Sequence, residues 1–228
     1  LDEFKLDVAR SFGRAAATYD GVAGLQRKIG YELIGALPPL SEGSVVLDLG
    51  AGTGFFACQL AEIYESGQVL ALDIAEPMLR QAGAFGGFGV VGDAEFMPVR
   101  SGSVDLVFSN MCIQWCRSPE RLFSEIRRIL KPAGRVVFST FGPKTLQELR
   151  CAWASGDDYD HVIDFRSADD IEMLFSSEAR VNYPTCALAS YDSPQASLRP
   201  LTRGHKGVEL DSRSKSGVFH KKTSPKVQ

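Results

Sequence analysis

Apolar residues along this chain recur with two rhythms. In residues 21–37, Val22, Leu25, Ile29, Leu33 and Leu37 fall three or four apart, the spacing of one buried helical face; residues 3–18 read as an earlier helix. The run "SVVLDLG" is short, β-branched and apolar, ends in glycine and leads into the helical stretch "FFACQLAEIY". Strand "QVLALD", helix "EPMLRQA", strands "GFGVVGD" and "SVDLVFS", helix "SPERLFSEIRRIL", a "KPAG" turn and strand "GRVVFST" follow. "TLQELRCAWA" and "ADDIEMLFS" read as helices, and "ARVNYPTCALASYD" as a late strand with Pro184 at a bulge or edge. Strands with few polar interruptions, alternating with helices, predict an α/β fold: a doubly wound, mostly parallel sheet covered on both faces. The division expected is one domain over 1–192, with a helical lid at 1–40 and a core at 44–192. Beyond Ser193 no period is sustained, and 193–228 reads as a basic, flexible tail.

Composition narrows the class. The 228 residues are 44% hydrophobic and 23% charged, enough for one sizeable core. A net charge of −3 argues against nucleic-acid binding, which needs a positive excess, although residues 191–228 hold eight Lys/Arg against three Asp/Glu. Five scattered cysteines read as reduced thiols of a cytoplasmic protein. No run reaches the roughly 20 apolar residues of a membrane span, and no charged-then-apolar leader opens the chain. It begins with Leu1 rather than Met, which points to a missing natural start.

The chemistry concentrates at strand ends. "VLDLGAGTGFF" sets Gly50, Gly52 and Gly54 on alternate residues between a strand and a helix, where the backbone must turn sharply and a ligand must approach without a Cβ in the way. A nicotinamide fingerprint needs its third glycine one residue later, so dinucleotide binding is disfavoured; a bare strand-helix turn is the plain alternative. Asp73 ends the next strand, where a carboxylate can accept from both ribose hydroxyls, and Asp93 ends the third, within reach of an adenine amino group. A single Asp after a strand is more often a turn former or cap. Three successive strand ends with suitable groups outweigh that reading.

"VLDLGAGTG", Asp73 and "GDAEFMP" resemble the successive motifs of class I methyltransferases, which bind S-adenosylmethionine over the carboxyl ends of a Rossmann-like sheet. "VARSFGRAAATYDGVAGLQRKIGYELIGALP", "FSNMCIQWCRSPERLFSEIRRILKPAGRVVFSTFGPKTLQEL" and "HVIDFRSADDIEMLF" are similar to the malonyl-[acyl-carrier protein] O-methyltransferases of biotin synthesis, over about residues 8–195. The resemblance implies donor contacts from Tyr19, Asp48, Gly50, Ala51, Gly52, Gly54, Asp73, Ile74, Met78, Asp93, Ala94, Ser109 and Asn110. It implies that Tyr19, Asn110, Gln114 and Trp115 serve catalysis, with Gln114 and Trp115 beginning the acceptor wall, and that no metal takes part. Trp115 reads equally well as a core aromatic. Cys112 and Cys116, without a nearby histidine, make a poor metal site.

The implied reaction moves a methyl group to the free carboxylate of a malonyl thioester, carried by acyl carrier protein or CoA. That carboxylate is ionised at pH 7 and needs no general base, in keeping with motifs that lack histidine. Tyr19 and Phe12 in "FGRAAATYD" are the lid aromatics, although Phe12 also reads as simple core, and Arg14 is a candidate carboxylate holder. Arg27, Lys28, Lys144 and Arg150 are candidate contacts for an acidic carrier protein, against scattered solvated charge as the plain reading. His161 and Phe165 are placed near the acceptor by analogy alone. The family's last strand inserts between two others, and the end of this chain departs from it, so that strand is expected to be missing or altered. Two other functions stay open: methylation of another small acceptor such as a quinone-ring carbon, and a non-catalytic, donor-binding assembly factor.

Overall fold

The computed structural model of the chain describes residues 1–83, 87–154, 164–176, 186–191 and 198–200. Three helices, α1 (Glu3–Ala15), α2 (Tyr19–Val22) and α3 (Gly24–Ile34), precede β1 (Val45–Leu49). There follow α4 (Phe55–Ile63), β2 (Gln68–Asp73), α5 (Glu76–Gln81), β3 (Phe88–Val91) and β4 (Val104–Asn110). A 3₁₀ turn (Ile113–Trp115), α6 (Pro119–Ile129), β5 (Leu130–Phe141), α7 (Gln147–Ala154), α8 (Ala168–Ser176), β6 (Cys186–Tyr191) and β7 (Leu198–Pro200) complete the order. Among the described residues no helix is long and apolar enough to cross a membrane.

The strands form one sheet in the order β3-β2-β1-β4-β5-β6-β7, parallel except for the antiparallel β7. The sheet reverses direction of growth at β1 and β4, and ligands of open α/β sheets bind in the crevice outside the carboxyl ends of the strands at such a point. β5 pairs directly with β6, and among the described residues the three-residue β7 lies outside β6 at the sheet edge. It also carries the sheet past residue 192, the expected end of the domain. "KPAG" survives as an excursion at the start of β5. Leu130 pairs with Val104 and Arg135 with Leu106, so residues 131–134 are looped out of register.

Side chains of β1 alternate between two cores, as the two-residue period of a strand requires. Leu47 and Leu49 pack with Leu122, Phe123, Ile126 and Ile129 of α6 on one face. Val46 packs with Leu33 of α3 and Phe56, Ala57 and Leu60 of α4 on the other. Helix α6 buries its apolar residues at helical spacing and starts on a cap, the Ser118 hydroxyl accepting from the Arg121 amide at 3.2 Å, with Pro119 at the first position.

The apolar face expected over residues 21–37 is only half realised. Ile29 and Leu33 are fully buried, whereas Val22 and Leu25 are exposed. The helix breaks at Ala23 (φ −79°, ψ 25°), and the break turns the apolar residues before it and just after it away from the core. The first helix ends at Ala15, short of the expected residue 18.

Candidate active site

The carboxyl ends of β1, β2 and β4, with α1 and α2 laid across them, enclose a cavity of ≈ 920 Å³, part of it open to solvent. Its wall includes Tyr19, Gly50, Gly52, Asp73, Ile74, Met78, Asp93, Ala94, Asn110, Gln114 and Trp115. A smaller neighbour of ≈ 430 Å³ reaches Asp48, Ala51 and Thr53 and shares Tyr19, Gln26, Gly50, Gly52 and Asn110 with it. Two residues expected at the site lie elsewhere. Gly54 caps α4 in a left-handed conformation (φ +76°), and a Cβ there would meet that of Ala82 at 2.5 Å; glycine is required for chain packing. Ser109 is fully buried, its hydroxyl donating to the Leu49 carbonyl at 2.9 Å. Its side chain joins β4 to β1 instead of facing the cavity.

Gly52 has the opposite character. At φ +56°, a Cβ built on it would meet nothing within 4 Å, so the loop leaves open space where a ligand can lie against the backbone. Beside it, Asp73 accepts from the Gly52 amide at 2.9 Å and the Ala75 amide at 2.8 Å. Burial raises its carboxyl above the ordinary range, opposed by the hydrogen bonds from the Ala75, Gly52 and Ile74 amides. Asp48 is deeper, 2% exposed. Burial and the Asp73 charge push it up to about 8 against a hydrogen bond from the Ala57 amide, and its Oδ2 is buried without a hydrogen-bond partner. A buried carboxyl oxygen without a partner, on a residue that lines the smaller cavity, suits a ligand group that donates hydrogen bonds, and a cationic donor would favour its ionised form.

Lys5, which sequence reasoning missed, lines the larger cavity. Its ammonium meets Asp93 Oδ2 at 2.6 Å and Glu95 Oε2 at 2.8 Å, while Asp93 Oδ1 accepts from the Glu95 amide at 2.9 Å. Glu95 in turn accepts from the Arg117 and Ser118 amides. The sequence signal was weak: a lysine near a helix start reads as solvated, and the nearer of its two partners along the chain, Asp93, lies 88 residues away.

The opposite wall is apolar and aromatic. Phe12 stands edge-on to Trp115 with ring centres 5.4 Å apart, and to Tyr19 at 6.2 Å; Phe141 closes the wall and packs on Phe165 at 5.2 Å. Asn110 is held between a donation to the Gln26 carbonyl at 2.9 Å and acceptance from the Ser139 hydroxyl at 2.8 Å. Gln114 donates to the Met111 carbonyl at 2.7 Å and accepts from Thr140 at 3.3 Å. The Tyr19 hydroxyl is raised by burial and by the charges of Asp73 and Asp20, so it remains a neutral donor. Cys112, whose side chain fills the space a Cβ on Gly50 would need, is raised by its hydrogen bond to Cys116 and by burial.

The cationic candidates separate. Arg27 pairs with Asp20 at 3.2 Å and lies over the Phe55 ring, and Arg150 pairs with Asp164 at 2.8 Å; Lys28 and Lys144 are exposed. Arg14 is exposed and donates to the Ser11 hydroxyl, away from the cavity wall. His161 lies outside the described residues.

The family described as a methyltransferase domain matches residues 47–138. The chain is 49% identical over 213 residues to the malonyl-[acyl-carrier protein] O-methyltransferase of Methylococcus capsulatus, covering 86% of this chain and 78% of that protein. It is 48% identical over 172 residues to the biotin biosynthesis bifunctional protein BioHC of Cellvibrio japonicus, covering 74% of this chain and 34% of that one. Among solved structures it resembles Haemonchus contortus phosphoethanolamine N-methyltransferase 2 in complex with S-adenosyl-L-methionine, with a TM-score of 0.63 and 25% identity over 78% of this chain and 44% of that one.

Proposed function

The chain belongs to the malonyl-[acyl-carrier protein] O-methyltransferase family, and from that premise we propose that it esterifies the free carboxylate of a malonyl thioester with a methyl group from S-adenosylmethionine. The observation that carries the reading is the pairing of an open glycine backbone at Gly52 with the Asp73 carboxylate 2.9 Å from its amide. That pairing offers a sugar-diol acceptor beside a bare stretch of chain at the strand ends. S-adenosylmethionine supplies a methyl group activated by a sulfonium charge.

The residues of the chain bind, orient and exclude water. In this reading Asp73 accepts from the ribose hydroxyls, Asp93 and Ala94 with Ile74 and Met78 hold the base, and Gly50, Ala51 and Gly52 admit the backbone of the ligand. Asp48, with its orphaned Oδ2, receives an ammonium group. Tyr19, Phe12 and Trp115 cover the reacting centre. A carboxylate acceptor arrives ionised, and the nearby Tyr19 phenol, kept protonated by burial and by the charges of Asp73 and Asp20, can orient it without taking a proton. Asn110 and Gln114, each fixed by two hydrogen bonds, keep the strand-end wall rigid. Holding two reactants in line can supply several kcal/mol, up to about 7–11 in favourable intramolecular cases, and a dry aromatic wall strengthens the attraction between carboxylate and cation. The thiols of Cys58, Cys112, Cys116 and Cys151 are free, which suits work in the cytoplasm, and nucleic acid and membrane have no part in the reading.

Incubation with methyl-labelled donor and, in parallel, malonyl-acyl carrier protein, malonyl-CoA and a quinone precursor tests it. A base-labile methyl ester on a malonyl thioester is the expected product. Ring methylation, or donor binding with no transfer to any acceptor, would overturn the proposal.

A further inference from the structure

Two residues that line the smaller cavity each have a buried polar atom without a hydrogen-bond partner, one on an acid and one on a base: Oδ2 of Asp48 and Nε of Arg27. Leaving either so is unfavourable, and their coincidence in one wall suits a ligand that carries both complementary groups. An α-amino acid end, ammonium toward Asp48 and carboxylate toward Arg27, is such a group. Guanidinium binds carboxylate through a planar fork of donors, and Arg27 already has one carboxylate, that of Asp20, at 3.2 Å.

Asp20 belongs to α2 and its side chain is 54% exposed. It also accepts from the Thr53 hydroxyl at 2.8 Å, which fastens α2 to the loop before α4. Arg27 lies over Phe55, 4.3 Å from the ring centre, and the neighbouring Gln26 carbonyl accepts from Asn110. Thus one short segment touches the glycine loop, the end of β4 and the lid, and Tyr19, the residue before Asp20, lines both cavities.

We infer that Arg27 is a positioning residue that passes from Asp20 to the carboxylate of an S-adenosyl amino acid, and that this exchange docks α2 and α3 on the site. A nucleoside without the amino acid end fills the larger cavity but leaves Arg27 on Asp20 and Tyr19 unset. The inference rests on the donor reading given above and adds to it a coupling between the amino acid end of the donor and the lid.

Calorimetry with S-adenosylhomocysteine and with 5′-methylthioadenosine, which lacks the amino acid end, separates the two. Arg27→Gln is expected to weaken S-adenosylhomocysteine by about ten- to hundredfold, the loss of one charge-assisted hydrogen-bonded contact, and 5′-methylthioadenosine by less than about threefold. Asp20→Asn, which frees the guanidinium, is expected to leave S-adenosylhomocysteine binding equal or tighter. In hydrogen exchange, amides of residues 19–34 should slow on adding S-adenosylhomocysteine to the wild type, not on adding 5′-methylthioadenosine, and not in Arg27→Gln. Retained 5′-methylthioadenosine affinity shows that Arg27→Gln is folded. Equal losses for both ligands, no loss for either, or equal protection of residues 19–34 by both would overturn the inference while sparing the donor reading. A wild-type protein that binds neither nucleoside would overturn both.

Discussion

The Lys5 ammonium lies 2.6 Å from Asp93 Oδ2, with Glu95 Oε2 at 2.8 Å on its other side, so a cluster of three charges pins the first helix to the end of β3. The Lys5 side chain is 6% exposed and that of Glu95 5%. Removing the cation leaves two buried carboxylates facing one another, and breaking a buried pair in this way costs about 3–5 kcal/mol. Lys5→Met is therefore expected to lose about 3 kcal/mol in urea unfolding. A loss under about 1 kcal/mol would show that water reaches the cluster. Burial pulls the ammonium down, but its hydrogen bonds to Asp93 and Glu95 more than reverse this and raise it above 10.5. The contribution of Lys5 is then full below 10.5 and fades only as pH rises beyond it.

Asp48 makes the opposite contribution. Its carboxyl is pushed up to about 8 from 3.8, so the ligand-free folded state keeps a proton that the unfolded chain gives up. Stability from this group is full below 3.8 and is lost as pH rises to about 8. Asp48→Asn should remove that slope, matching the wild type within about 1 kcal/mol near pH 4 and exceeding it by a few kcal/mol above pH 8. Thermal unfolding across pH checks it. In the wild type at pH 7, an ammonium arriving beside Asp48 favours the ionised form. Calorimetry of S-adenosylhomocysteine in buffers of different ionisation enthalpy should show release approaching one proton, and a buffer-independent heat would remove Asp48 from the ammonium site.

The strand ends were legible because their signal is local. A glycine at residue 52 and a carboxylate closing the next strand need only the rule that parallel strands present their carboxyl ends together. Lys5 was missed, and the setting of Arg27 was not legible, for the converse reason. Each is a cation on an N-terminal helix, and only packing across the sheet brings Asp93 to one and the glycine-loop cavity to the other. Val22 and Leu25 show the same limit from the apolar side. Their spacing fits a helical face, but the break at Ala23 depends on how α2 seats over the loop. Ser109 stands at a strand end, as Asp73 does, yet its hydroxyl turns into the sheet and donates to the Leu49 carbonyl.

Asp73 should carry ribose recognition. Asp73→Ala is expected to weaken S-adenosylhomocysteine by about 1–3 kcal/mol, and the change also leaves the Gly52 and Ala75 amides without their present acceptor. Asp73→Asn keeps one acceptor oxygen and should fall between alanine and wild type. Unchanged calorimetric affinity in the alanine variant would remove Asp73 from the site.

Ser109 is expected to behave differently from its neighbour Asn110. Its hydroxyl serves the Leu49 carbonyl, so Ser109→Ala should cost about 1 kcal/mol of stability and leave donor affinity within about twofold. A larger loss of affinity than of stability would mean that the hydroxyl turns into the cavity when a ligand binds.

Tyr19 links α2 to the aromatic wall of the larger cavity. Its ring meets Phe12 edge-on, and Phe12 meets Trp115 in the same way, so the three rings form a continuous cover whose loss admits water to the cavity. Its hydroxyl, raised by burial and by the charges of Asp73 and Asp20, stays protonated through neutral pH and can act only as a hydrogen-bond donor or acceptor. Tyr19→Ala removes both cover and hydroxyl, whereas Tyr19→Phe removes the hydroxyl alone. If exclusion of water dominates, the alanine variant should lose at least about tenfold in kcat, or about 1.4 kcal/mol of barrier, and the phenylalanine variant little. If orientation by the hydroxyl dominates, the two should fall together. Unfolding transitions within a few degrees of wild type would show that either loss arises in the reaction, and full activity in both variants would reduce α2 to scaffold.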